Sequence, residues 1–166
     1  MPELPALRPA RADDLGRLGP LYERAGFGAR LAGVVGFAKA RLDGEVVVAD
    51  AGGELVGVAA GAVFAGTGWV GGVAVVPAHR RLGLGGALTE AIIAFLEDRG
   101  VATVLLHDTA LGRPVYERLG FVPETAYLTL TGPTLPRSAR GPRVRPGRAY
   151  TLSLHDALPI YRKSVV

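Results

Sequence analysis

Residues 75–100 read "VVPAHRRLGLGGALTEAIIAFLEDRG". A β-branched run ends at Pro77, two arginines follow, and Gly83, Gly85 and Gly86 lead into an apolar pattern of helical period. Leu84, Leu88, Ala91, Ile92, Phe95 and Leu96 fall on one face of that helix, and Gly100 ends it. Glycines ahead of a helix cost backbone entropy, so a gain should offset them. A strand that turns into a helix aims unpaired N–H groups and the positive end of the helix dipole at one point. Glycines there remove the Cβ atoms that would hold a bulky anion away. With Arg80 and Arg81 beside them, they form a candidate pyrophosphate cradle.

Around this stretch the chain alternates helical and strand signals. "ALRPARADD" starts extended and offers Asp13 or Asp14 as a helix N-cap. Two helical segments follow, "LGRLGPLYERAGF" and the weaker, glycine-bearing "ARLAGVVGFAKARL". Then come three strands, "EVVVAD", "LVGVAAGAVFA" and "TGWVGGVAVV", with an "AGGE" turn between the first two. After the helix lie the strand "VATVLLHDT", the short helix "GRPVYERLG" and a last strand "FVPETAYLTLT", interrupted by Pro123. The predicted order is α-α-β-β-β-α-β-α-β, a mixed α/β (α+β) domain over residues 1–136.

Composition excludes several classes. Hydrophobic residues make up 49% of the 166 and there is no cysteine, which argues against disorder, a disulfide scaffold and thiolate metal sites. No apolar run reaches the ~18 residues of a membrane span without glycine or charge, and the N-terminus lacks the pattern of a signal peptide. The expected setting is cytoplasmic, with no membrane partner and no metal. The net charge of +4 is concentrated in residues 137–166, where seven cations face Asp156, so the other 136 residues sum to −2. Residues 137–166 read as a basic, linker-like, disordered tail. Its segment "TLSLHDALPI", 151–160, looks like a translated sequencing-adapter oligonucleotide, so the natural chain is expected to differ beyond about Ala149. Nucleic-acid binding would rest on this tail alone and is not expected.

Three phosphate-binding patterns compete for the glycine loop. A Walker loop needs Lys and Ser/Thr where Ala87 and Leu88 stand. A dinucleotide fingerprint needs glycine at Leu88, although Asp108 sits near the place of its ribose-binding acid. The pattern V-x-P-x-x-R-x-x-G-x-G uses Val75, Pro77, Arg80, Gly83 and Gly85. With "LRPARADDL" near the start and "GRPVYERLGF" near the end, it resembles the GNAT superfamily of N-acetyltransferases over about residues 7–130.

That resemblance implies a mostly antiparallel sheet with two splayed parallel strands, "WVGGVAVV" and "TVLLHDT", and acetyl-CoA lying in the gap. It assigns cofactor binding to Val73, Ala74 and Val75 on the first strand. It adds the loop residues Arg80, Arg81, Leu82, Gly83, Leu84, Gly85, Gly86 and Ala87, with Arg80 assisting by charge, and Asp108. The Val75 N–H would steady the oxyanion, and Tyr116 would be the general acid that protonates the leaving thiolate. No acidic residue stands on the strand before the loop, so the amine's proton is expected to leave through water or through a residue the sequence does not mark, with His107 and Asp108 as candidates. Trp69 is read as core or as acceptor-pocket wall. The expected acceptor is a small-molecule amine, an amino acid or a peptide N-terminus. "GRPVYERLGF" after "HDTAL" also looks like the first lobe of two-domain members. No final strand is visible after "YLTLT", so an uncovered sheet edge is expected there, one that invites aggregation or a homodimer.

Overall fold

The structure is a computed structural model that describes residues 4–128 and 157–165. The elements run β1 (Ala6–Pro9), α1 (Ala12–Leu15), α2 (Leu18–Arg24), α3 (Arg30–Arg41), β2 (Asp43–Ala51), β3 (Glu54–Phe64) and β4 (Thr67–Val75). A 3-10 turn (Pro77–His79) leads to α4 (Leu84–Glu97), β5 (Thr103–His107), α5 (Arg113–Arg118), β6 (Val122–Leu128) and β7 (Ala157–Ser164). They form a seven-stranded sheet in the order β1-β2-β3-β4-β5-β7-β6. Every neighbouring pair is antiparallel except β4 and β5.

Helices cover both faces of β2–β4, so strand residues are buried in alternation on two sides. Val46 and Val48 join Leu18, Leu21, Tyr22 and Val35 in one core; Val47 and Ala49 join Leu84, Leu88, Ile92 and Leu96 in the other. The helix α4 sits close because the sheet beneath it lacks side chains. A Cβ on Gly57 would come within 2.9 Å of Leu88, one on Gly61 within 2.4 Å of Ile92, and one on Gly68 within 2.8 Å of Leu96. These three helix positions are spaced by four, so one ridge of α4 lies over three strand glycines.

Three sequence expectations need correction. Asp14 is not an N-cap. Arg11 is, and Asp14, three residues into the helix, accepts the Arg11 backbone N–H at 2.8 Å while ion-pairing with Arg8. "ALRP" is a true strand, β1, paired with Asp50–Val47 of β2. Residues 137–166 are not linker to their end, since Ala157–Ser164 forms β7 between β5 and β6. A further strand after "YLTLT" is therefore present; it fills the place between β5 and β6 and leaves β6 at the sheet edge. The burial of Tyr161 in the α4-side core anchors the strand. Pro159 is tolerated because β5 pairing ends at Ile160, so Pro159 faces only β6. Residues 137–156 lie outside the described residues.

Candidate active site

The two parallel strands pair only from Thr67↔Thr103 to Val70↔Leu106 and then diverge. The divergence begins at a β-bulge, where Gly72 and Val73 face the single residue Ala59. Gly72 takes φ +61, and a Cβ there would lie 2.6 Å from both the Tyr22 hydroxyl and Val35. Beyond the bulge the Val76 N–H donates to the Val56 carbonyl of β3. Because strand groups alternate sides, the backbone groups of Val73 and Val75 turn toward the gap.

The glycine loop closes the end of that gap. Among the described residues, no backbone N–H from Arg81 to Gly86 donates to a carbonyl; the Ala87 N–H is the first one used, to Gly83 at 3.1 Å. Gly83 caps α4 at φ +88, and Arg81 holds φ +62, a left-handed conformation uncommon outside glycine. A Cβ on Gly85 or Gly86 would meet nothing of the protein nearer than 3.9 Å, so it is not helix packing that calls for glycine at these two positions.

A cleft of about 660 Å³ runs from this loop to α5. Val73, Ala74, Val75, Arg80, Arg81, Gly83, Leu84, Gly85, Gly86, Ala87 and Tyr116 all line it. Leu82 does not, and Leu84 contributes backbone, its side chain being core. Asp108 lines no part of it either. Its side chain is fully buried, one oxygen lies 3.5 Å from Arg113 Nε and the other has no partner in the structure. Arg80 is also engaged otherwise than expected. Its guanidinium donates to the carbonyls of Val75 (2.9 Å) and Ala25 (2.6 Å).

A niche of about 80 Å³ adjoins the cleft at the point where β4 and β5 part. Tyr116, Phe27, Val73 and Thr109 border both spaces. Tyr116 is 8% exposed, edge-on to Phe121 and against Gly112, where a Cβ would fall 2.8 Å from its ring. Burial first, and then the charge of Asp108, push its phenol up to about 12. His107 lines the niche, with Trp69 tilted against it at 6.0 Å. Burial lowers the pKa of His107 and the Asp108 charge opposes that shift, so the imidazole is neutral at pH 7. Trp69 itself borders neither space. Phe27, Leu31 and Thr109 are site-lining residues that sequence reasoning missed. The "GFG" at 26–28 marks a loop aromatic, but nothing local aims it at β4. No cluster of three metal-ligating side chains occurs among the described residues, nor does a helix long and apolar enough to cross a membrane.

Residues 42–123 match a family model described as an acetyltransferase (GNAT) domain. No curated protein matches the sequence. Among solved structures, the ribosomal-protein-S18-alanine N-acetyltransferase of Escherichia coli is similar at 23% identity and TM-score 0.69, over 96% of this chain and 93% of that one. A phosphinothricin acetyltransferase of Sinorhizobium meliloti in complex with AcCoA aligns at 18% identity and TM-score 0.69, over 98% and 89%. The PaiA N-acetyltransferase of Thermoplasma acidophilum in complex with coenzyme A aligns at 12% and 0.66, over 96% and 98%.

Proposed function

Starting from the premise that this chain carries a GNAT acetyltransferase domain, we propose that it transfers an acetyl group from acetyl-CoA to a primary amine of a small molecule, an amino acid or a peptide. One observation carries the reading. A glycine loop whose six successive backbone N–H groups have no carbonyl partner among the described residues borders a cleft that also reaches Tyr116 and a second, small niche. The residues present fit the cofactor. The loop offers neutral donors and a helix N-terminus to a pyrophosphate, and the gap beyond the bulge offers the Val73 and Val75 backbone to an amide-bearing arm, as an added strand would use it.

When bound, acetyl-CoA supplies an activated acyl group as a thioester. The chain's own groups then have separate tasks. The N–H groups of Arg81 to Gly86 hold the anionic end, and the Arg81 side chain adds charge. The Val75 N–H donates to the oxygen on which negative charge develops. Tyr116 holds a proton at its hydroxyl across the neutral range and gives it to the departing sulfur. His107, neutral and facing the niche, accepts the proton of the incoming amine. Asp108, enclosed behind the site, is set aside as base and as cofactor ligand. The deciding experiment pairs calorimetric titration of acetyl-CoA with an amine screen on the wild type and Tyr116→Phe. Binding in both with turnover only in the wild type supports the proposal. Binding in both with equal turnover refutes the role of Tyr116, and no binding in either refutes the cofactor.

A further inference from the structure

Arg80 falls in the phosphate-loop pattern, yet its guanidinium is committed to two backbone carbonyls far apart in the chain. Val75 O belongs to the end of β4, which walls the cleft. Ala25 O belongs to the C-cap of α2. The last carbonyls of a helix lack helical partners, and its C-terminus favours a cation. Just past Ala25 the chain turns at Gly26, φ +84, and places Phe27 at the border of cleft and niche. Phe27 is held to α2 by its N–H on the Tyr22 carbonyl (2.8 Å) and by edge contact with the Tyr22 ring. The Tyr22 hydroxyl donates in turn to Gly72 O in the bulge at 2.7 Å. This wall is therefore fastened to β4 twice, by Tyr22 at the bulge and by Arg80 at the strand end. Of the two, only Arg80 also lies next to the cradle, one residue before the left-handed Arg81.

We propose that Arg80 is a positioning residue whose two-pronged guanidinium couples the phosphate-binding loop to the acceptor wall at Ala25–Phe27, so that filling the cradle tightens that wall against β4. The brace stands on geometry alone; the identity of the ligand that fills the cradle rests on the acetyl-CoA reading. A purely electrostatic role for Arg80 would be met equally by lysine. A brace would not, because one ammonium cannot reproduce two donors in a fixed planar fork. Anion attraction is left to Arg81, which is exposed and makes no side-chain hydrogen bond or ion pair among the described residues.

Amide hydrogen exchange on the full-length chain tests the brace. The amides of Ala25, Gly26 and Phe27 all donate to α2 carbonyls, so each reports whether the wall is held. The quantity read is their exchange rate relative to β2 amides of Val46–Ala49, which cancels any global loosening. In the ligand-free Arg80→Lys variant this ratio is expected to rise about tenfold, as for a locally released segment. Acetyl-CoA is expected to lower the ratio in the wild type but not in Arg80→Lys, with calorimetric affinities within about threefold of each other (under ~1 kcal/mol). An unchanged ratio in ligand-free Arg80→Lys overturns the brace. A wild-type ratio that ignores bound acetyl-CoA overturns the coupling, as does Arg80→Met losing affinity about tenfold (~1.4 kcal/mol) while the ratio stays fixed. If acetyl-CoA binds no variant, the cofactor reading fails and the ligand-free comparison alone decides the brace.

Discussion

At the scale of single residues, Tyr116 and Gly85 separate chemistry from binding. Tyr116→Phe removes one oxygen from a ring packed by Phe121 and Gly112, so the fold and the cleft survive. Loss of a general acid is expected to lower kcat about 100-fold, with acetyl-CoA affinity unchanged by calorimetry. Gly85→Leu has the opposite expected signature. Its Cβ meets only Val75, at 4.0 Å, so Tm is held while acetyl-CoA binding is lost. The pH profile follows from the two shifts. The His107 pKa is lowered, so the fraction able to accept a proton is already high at neutral pH and declines only on acidification below the usual ~6.5. The Tyr116 phenol, near 12, keeps its proton throughout the working range. With saturating amine, kcat is thus expected to fall on the acid side, to show no alkaline fall below pH 10, and to lose its acid limb in His107→Gln. The loop residues and Tyr116 could be singled out from the sequence as candidates because each lies within a short local pattern, and all but Leu82 line the cleft. The use of Arg80 was not, because its partner Ala25 is 55 positions away. Asp108 misleads for a similar reason. It stands at a strand end, where acids often face ligands, but the sequence does not say to which side of the sheet it turns.

At the scale of elements, glycine has opposite meanings in β3 and α3. On β3, Gly61 makes room for Ile92, and its substitution by Ala forces α4 upward against a 2.4 Å contact. Overpacking of this kind is expected to cost about 1–3 kcal/mol, seen as a lower midpoint in urea. On α3, Gly33 and Gly36 have nothing within 4 Å of an added Cβ. Gly33→Ala is expected to stabilise by roughly 0.5–1 kcal/mol through helix propensity. A denaturation series holding both variants reads the two signs in one experiment. Most helices and strands were visible as apolar periodicity, including α3, whose glycines weaken it without abolishing it. β1 was seen only as extended chain, because four residues give too short a period to separate strand from linker.

At the scale of the molecule, two long-range ties close the sheet, and each has a measurable consequence. On the β1 side, Arg8 pairs with Asp14 and Asp50 and joins β1, α1 and β2. The Arg8 hydrogen bond, ahead of the smaller opposing effect of burial, lowers the Asp14 carboxyl to about 2; Asp50 is lowered by Arg8 as well. A carboxyl depressed in the folded state stabilises above its unfolded pKa, and that share is lost as pH falls from about 4 toward 2. Arg8→Met is therefore expected to flatten the acid limb of stability in that window and to leave its slope near neutral pH alone. On the other side, β7 pairs with β5 and β6 together, and its Tyr161 is 2% exposed in the core that holds Tyr116 and Phe121. A linker-like reading of residues 137–166 would make them dispensable. Their loss would instead expose the facing edges of β5 and β6 and leave a space as large as a tyrosine in that core. Tyr161→Ala alone is expected to cost about 3–5 kcal/mol, by the usual cost of deleting a buried aromatic. Truncation after residue 136 is expected to cost more and, since Tyr116 shares that core, to weaken acetyl transfer as well. Thermal melts of the full chain, Tyr161→Ala and the truncated chain, run side by side, check the order. If the truncated chain melted with the full one, β7 would contribute nothing to the fold, and the tail would be linker after all.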